Sequence, residues 1–231
     1  MLQISVRHGK IIWYGQRKDG IYMSETPVLI GLCGRSGAGK GIVASVFADF
    51  GMAVIDTDAV YREMTSRSDT PCMQALIREF GCAVVSPDGS LDRTALADIV
   101  FTRDTSRLSV LNRITHKYII DECDRRIAHL SESGKRLAVI DAPLLFESGL
   151  NERCTVTVAL TAPDSVLIER ICRRDGITRS AALRRIAQQM SNDDLGRRTD
   201  YIIENSGDIE ELKLRAAAVA KDILGRFLKT R

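Results

Sequence analysis

Short apolar runs alternate with longer amphipathic stretches along most of this chain. Residues 28–33, VLIGLC, form an unbroken apolar run that ends in a glycine-rich segment, and residues 40–50, KGIVASVFADF, then carry apolar side chains at helical spacing. Gly51 closes that helix and MAVID, residues 52–56, is a second apolar strand, so these segments predict a βαβ unit. RLAVIDAP (136–143) and CTVTVALTAP (154–163) are further buried-strand runs, each closed by a proline, and YIIEN (201–205) is a shorter fifth. Helical segments separate the strands. The pattern therefore predicts an α/β fold with a five-stranded parallel sheet.

From Thr57 to about Ser133 the pattern is helical, broken by Pro71, Gly81 and the turn SPDGS at 86–90, and is expected to be a helical insertion. Its longest piece, about 105–130, places Leu108, Leu111, Ile114, Tyr118, Ile119, Cys123 and Ile127 on one side, a stripe that core packing explains. Residues 208–229 predict a terminal helix. The first 22 residues differ in character: IIWYG, QRKDG and IYM read as a small hairpin, either an extra edge strand or an extension upstream of a start at Met23. The expected division is an extension at 1–27 and one domain at 28–231. Within that domain lie a core (28–56, 136–172, 200–231), a helical subdomain (57–135) and a lid (173–199).

Composition narrows the class without adding a function. A chain of 231 residues with 45% hydrophobic, 27% charged and 5% aromatic residues is ordinary for a globular protein and excludes disordered and fibrous classes. Thirty-three basic against 30 acidic residues leave a net charge of +3, too balanced for a general nucleic-acid or membrane partner. The six cysteines form no CxxC pair, several lie in apolar runs, and reduced thiols in a cytoplasm are expected. No apolar stretch reaches the roughly 18–20 residues that span a bilayer, and the N-terminus lacks a signal-peptide core.

The chemistry begins at GRSGAGKG, Gly34 to Gly41, a G-x-x-x-x-G-K-[ST] phosphate loop in every position but the last. It follows a strand and opens a helix, the context the motif requires. Lys40 is expected to bridge the β- and γ-phosphates of a bound nucleotide, and the N–H groups of Gly37, Ala38, Gly39, Lys40 and Gly41 to form the cradle. Asp56 and Asp58 follow the second strand with one residue between them. There a carboxylate can accept an acceptor hydroxyl's proton or hold Mg²⁺ through water, or can cap the next helix. Asp141 closes the third strand as a Walker B carboxylate would, on the metal side. The loop PLLFE after it offers Leu144, Phe146 and Glu147 to a substrate pocket. In the basic stretch after residue 169, Arg174 and Arg170 are expected in a lid over the phosphates, while Arg173, Arg179, Arg184 and Arg185 read as a solvated face.

In this order the strings GRSGAGKG, FADFGMAVIDTDAV, LDRTALADIVF, THKYI, DAPLLFESGL, RICRRDGITRSAALRRIAQQM and DYIIENSG make the chain resemble the dephospho-CoA kinase family over about residues 28–225. The resemblance implies a P-loop kinase core of five parallel strands, a helical CoA-binding subdomain and a lid. It implies transfer of the γ-phosphoryl of ATP to the ribose 3′-hydroxyl of dephospho-CoA, with Mg²⁺ as metal. It makes Asp58 the general base, Lys40 the phosphate lysine, Arg174 the lid arginine, and Asn205 with Gly207 the loop beside the adenine. Arg93, His116, Leu144 and Glu147 resemble residues around the acceptor. With Gly34, Ser36 and Ile42 completing the nucleotide loop, Asp56 beside Asp141 as the metal-side pair, and a monomer as the expected state, the picture is a cytoplasmic enzyme.

The departures fall in the loop. The family usually reads GGIGSGKS followed by Thr, whereas here Arg35, Ser36 and Gly41-Ile42 replace the second glycine, the aliphatic residue and the Ser-Thr pair. His116 is followed by Lys117 where the family usually has proline. Two alternatives to an active enzyme of this kind follow: a non-catalytic nucleotide- or CoA-binding protein, and a related kinase with another acceptor.

Overall fold

A computed structural model describes residues 3–7, 10–17, 20–25, 27–101 and 106–228, with side chains from residue 27 onward. The chain divides into two compact units. One comprises Met1–Ile55 with Ile127–Arg231, the other Asp56–Arg126.

In the first unit, β1 (Gln3–Arg7), β2 (Lys10–Arg17) and β3 (Gly20–Glu25) form an antiparallel three-stranded sheet of their own. The expected hairpin is its second half, with Tyr14 opposite Met23. The alternative of an extra edge strand does not hold, because the central sheet is complete without these strands. The turn residues Lys18 and Asp19 lie outside the described residues.

The central sheet contains β4 (Val28–Gly34), β5 (Ala53–Asp56), β6 (Leu137–Asp141), β7 (Val156–Thr161) and β8 (Tyr201–Glu204), in the order β5-β6-β4-β7-β8. It is a parallel sheet, with β4 registered to β6 from Val28 opposite Leu137 and to β7 from Ile30 opposite Val156. Every β7 side chain is buried, the expected composition of a parallel strand covered on both faces. The order puts the ends of β4 and β6 side by side, and a crevice beyond the carboxyl ends of such strands is where α/β sheets bind ligands.

Helix α1 (Lys40–Asp49) packs Val43, Ala44 and Phe47 into the same core as Ile30, Leu32, Val158 and Leu160. The terminal helix, which runs from Ile209 to Phe227, joins that core through Leu212, Ala216, Ala220 and Ile223 and is N-capped by Asp208. The expected end of this helix at 229 lies outside the described residues.

The second unit holds α2 (Thr57–Met64), α3 (Pro71–Phe80), α4 (Arg93–Val100) and most of α5 (Ser106–Glu132). The two breaks read from sequence have the expected causes. Pro71 sits at the first position of α3 with Thr70 as cap, and Gly81 stops α3 at φ 85°. The turn at 86–90 folds back on itself, with Ser86 N–H donating to the Ser90 carbonyl and Val85 bridged to Leu91. A small core of Cys72, Met73, Leu76, Val84, Leu91, Leu96 and Val100 receives Leu111, Ile114 and Tyr118 from α5. Thr105, where α5 was expected to start, lies outside the described residues. With Lys117 rather than a proline after His116, α5 runs unbroken for 27 residues.

On α5, Glu122 accepts from Arg125 at 2.7 Å and from Arg126 at 2.8 Å, and Arg126 also reaches Glu63. Hydrogen bonding from Arg125, then Arg126, holds the Glu122 carboxyl at about 2 against partial burial. A depressed carboxyl stabilises the fold above its unfolded pKa and loses that contribution as pH falls through the folded value. Glu122→Gln is therefore expected to melt a few degrees lower than the parent at pH 7. The gap should close as pH falls from about 4.5 to about 2, followed by thermal denaturation across pH.

Candidate active site

The loop between β4 and α1 is shaped by two close approaches. Gly34 lies where a Cβ would come within 2.7 Å of the Leu160 carbonyl on the neighbouring strand, and Gly39, at φ 99°, lies where it would come within 2.7 Å of the Asn205 side-chain nitrogen. Both positions demand glycine. The turn closes with Ala38 N–H donating to the Arg35 carbonyl at 3.0 Å, so this one of the expected cradle donors is already engaged. Lys40 and Gly41 open α1, where backbone N–H groups have no intrahelical acceptor, and Ile42 N–H returns to the Gly39 carbonyl.

At the end of β6, Asp141 Oδ1 stands 3.9 Å from Lys40 Nζ. Their side chains are only 15% and 16% exposed, so the field between them is little screened. Cys33, the next-to-last residue of β4, lies in the same field. Burial pushes its thiol up to about 12, with Lys40 pulling it down and Glu147 and Asp141 opposing that pull. Such a thiol is inert. Beyond Asp141, Leu145 is buried against Gly31, whereas Leu144 and Glu147 are exposed, and Phe146 has the Arg198 guanidinium 5.8 Å over its ring.

The basic stretch is three helices: α6 (Asp164–Asp175), α7 (Arg179–Ala187) and α8 (Asn192–Arg198). Arg174 donates to both oxygens of Asp175 and, at 3.3 Å, to Ser36 Oγ in the loop. Arg185 also pairs with Asp175, whose carboxyl is held at about 2, chiefly by Arg174 and then by Arg185. Arg185 is exposed, as expected, and this carboxylate also ties it to Arg174. Arg173 pairs with Glu169 on the exposed face, as expected of a solvated residue.

Arg170, expected over the phosphates, lies beside Gly37 of the loop and is bonded to the segment after β8. It donates to the Asn205 carbonyl, the Asn205 side-chain oxygen and the Gly207 carbonyl at 3.1–3.3 Å. Asn205 is 6% exposed, and its amide donates to the Ala38 carbonyl at 2.8 Å. Arg170, Asn205 and Gly207 thus form a brace under the phosphate loop.

In the second unit, Asp56 Oδ1 accepts from the backbone N–H groups of Asp58 and Ala59 at 2.8 and 3.0 Å, and Oδ2 lies 3.8 Å from Arg62. The helix-capping alternative describes this carboxylate, with one oxygen committed to the cap. Asp58 is exposed on the first turn of α2. Arg93 opens α4 with its guanidinium 5.8 Å over the Tyr61 ring, and burial pushes that phenol up to about 12. His116 is half-buried on α5. Two partners had no sequence signal: Gln189, whose side-chain oxygen accepts from Ser36 N–H at 3.0 Å, and Asp164, which accepts from Arg35 at 2.5 Å.

A family model described as dephospho-CoA kinase matches residues 28–211. A dephospho-CoA kinase of Syntrophotalea carbinolica is 35% identical over 83% of this chain and 90% of its own length. Another from Symbiobacterium thermophilum is 36% identical over 85% and 82%. Among solved structures, a Thermus thermophilus protein, TT1252, superposes with a TM-score of 0.72 at 31% identity, covering 87% of this chain and 98% of that one. A dephospho-CoA kinase from Campylobacter jejuni shares the fold, with a TM-score of 0.62 at 20% identity over 84% and 96%.

Proposed function

Since the chain belongs to the dephospho-CoA kinase family, we propose that it moves the γ-phosphoryl of ATP to the ribose 3′-hydroxyl of dephospho-CoA, giving CoA and ADP. The observation that carries the reading is the loop from Gly34 to Gly41, with Lys40 3.9 Å from the Asp141 carboxylate and Arg174 bonded to Ser36 at 3.3 Å. A phosphoryl-transfer site needs a cation at the phosphates, a carboxylate on the metal side and a second cation that arrives with a lid. The non-catalytic alternative rests on Gly41 alone.

In this reading the N–H groups of Gly37, Gly39, Lys40 and Gly41 bind the phosphates at the start of α1, and Ser36 and Ile42 flank them. Lys40 neutralises the β- and γ-oxygens, and Arg174 covers the transferring group and excludes water. Asn205, braced by Arg170 and followed by Gly207, sets the floor of the loop and the edge of the adenine pocket. Asp58 takes the proton of the attacking hydroxyl. Arg93, His116, Leu144 and Glu147 hold the acceptor.

The residues present fit Mg²⁺, because Asp141 supplies a carboxylate and this ion is otherwise held by substrate phosphates and water. When bound it would neutralise charge developing on the phosphate oxygens. Asp56, with its cap and its Arg62 neighbour, is the lesser candidate of the metal-side pair. Among the described residues no helix is long and apolar enough to cross a membrane. A cytoplasmic monomer completes the reading.

The test is to incubate the purified chain with ATP, Mg²⁺ and dephospho-CoA and to follow 3′-phosphorylated product. Turnover with dephospho-CoA and none with adenosine or shikimate is expected. ATP binding without turnover would overturn the proposal.

A further inference from the structure

The two loop residues that depart from a glycine-aliphatic pair, Arg35 and Ser36, are both engaged by the lid. Arg35 is 7% exposed, although it carries a full charge. One terminal nitrogen donates to Asp164 Oδ1 and the other, at 3.1 Å, to the Ile186 carbonyl in the last turn of α7. The remaining Nε–H is buried without a partner among the described residues. A buried charge is costly unless it is paired and hydrogen-bonded, and here Asp164 and the Ile186 carbonyl supply those partners, so removing them would leave the guanidinium uncompensated.

The contacts close a ring. Ile186 is adjacent to Arg185, Arg185 pairs with Asp175, Asp175 binds Arg174, and Arg174 donates to Ser36 Oγ. Three residues beyond Ile186, the Gln189 side chain accepts from Ser36 N–H at 3.0 Å. From Arg35 the path crosses to α7, returns through the end of α6, and arrives at the neighbouring residue of the same loop. Every member of the ring is a protein group.

We infer that Arg35 and Gln189 are positioning residues for the phosphoryl donor: they latch α7 to the phosphate loop so that Arg174 is already placed when ATP arrives. This rests on the donor role proposed for the loop. A ligand that requires the placed lid binds with an apparent affinity reduced by the fraction of molecules in which it is placed. ATP itself restores the placement at saturation. Loss of the latch should therefore raise KM for ATP and leave kcat nearly unchanged.

The experiment uses the full-length chain with Arg35→Ala and Gln189→Ala, read by hydrogen exchange without nucleotide and by steady-state kinetics. For Arg35→Ala, amides in residues 176–199 should exchange about tenfold faster, while strands 28–34 and 156–161 stay protected. KM for ATP should rise about tenfold with kcat within about twofold of the parent. Gln189→Ala, which removes one half-buried acceptor, should move both readings the same way by about threefold. Arg35→Lys, which keeps the charge but not the planar fork, should fall between Arg35→Ala and the parent. Unchanged exchange at 176–199 in both alanine variants overturns the latch. So does a rise spread equally over the central strands, since Arg35 would then hold the whole fold and not the lid. The exchange arm requires no turnover, so it decides the latch even if the kinase reading fails.

Discussion

Asp58→Asn is expected to lower kcat for phosphorylation of dephospho-CoA by about two to four orders of magnitude, the usual contribution of a positioned general base. The replacement keeps the size of the side chain and removes only its ability to take a proton. Stability should barely change. Asp58 is exposed, its N–H still finds the Asp56 carboxylate, and one charge less in the first turn of α2 costs a few tenths of a kcal/mol. KM for ATP should stay near the parent value, because the donor loop lies elsewhere in the chain. Asp56→Asn is the control: asparagine caps helices as well as aspartate does, so a residue that works only as a cap loses little activity. Product release followed by a coupled ADP assay separates the outcomes. If Asp58→Asn stays within tenfold of the parent, the base is another group; if Asp56→Asn falls as far, Asp56 does more than cap α2.

The strand-loop-helix at 28–50 could be read from the sequence because its determinants are local. An apolar run, glycines where no side chain fits and a helical apolar spacing all act within a few residues of one another. The helix breaks at Pro71 and Gly81 were legible for the same reason. The strand order was not. Nothing in MAVID or RLAVIDAP says that β6 lies between β4 and β5, yet that order sets Asp141 beside Lys40. Long-range pairing decides it through contacts spread over the sheet.

The same limit explains the parts of the site that sequence reasoning missed. Arg35 looked like a departure from a usual loop, and its second acceptor is the carbonyl of Ile186, 151 residues away. A backbone carbonyl carries no signature of residue type, so no pattern could reveal it. Asp175 was hidden differently. It reads as part of a DG turn, yet it binds Arg174 and Arg185 at once. Arg170 was expected over the phosphates by analogy with the lids of P-loop kinases, and no pattern in the sequence revealed that it donates to the Asn205–Gly207 segment.

Gly41→Ser is expected to raise kcat by up to about a hundredfold, equivalent to about 3 kcal/mol of transition-state stabilisation from one restored metal-side contact. The site has room for the change. A Cβ at Gly41 meets nothing within 4 Å, and the residue lies in the first turn of α1, where serine adopts helical backbone without strain. Two other readings accompany the rate. The Mg²⁺ concentration for half-maximal rate should fall, because a hydroxyl replaces one water among the oxygens around the ion. The protein should also melt slightly higher without ligand, since glycine costs a helix roughly 0.5 kcal/mol more than serine. The second effect appears whether or not the first does, so a higher melting temperature certifies that serine sits in an intact helix. A folded Gly41→Ser protein with unchanged kcat and unchanged Mg²⁺ dependence would mean that water already does the work of the hydroxyl. The loop would then have lost the side chain without losing the function. A large gain would instead mark Gly41 as the residue that limits the rate, with Lys40, Asp141 and Arg174 supplying the remaining charge stabilisation.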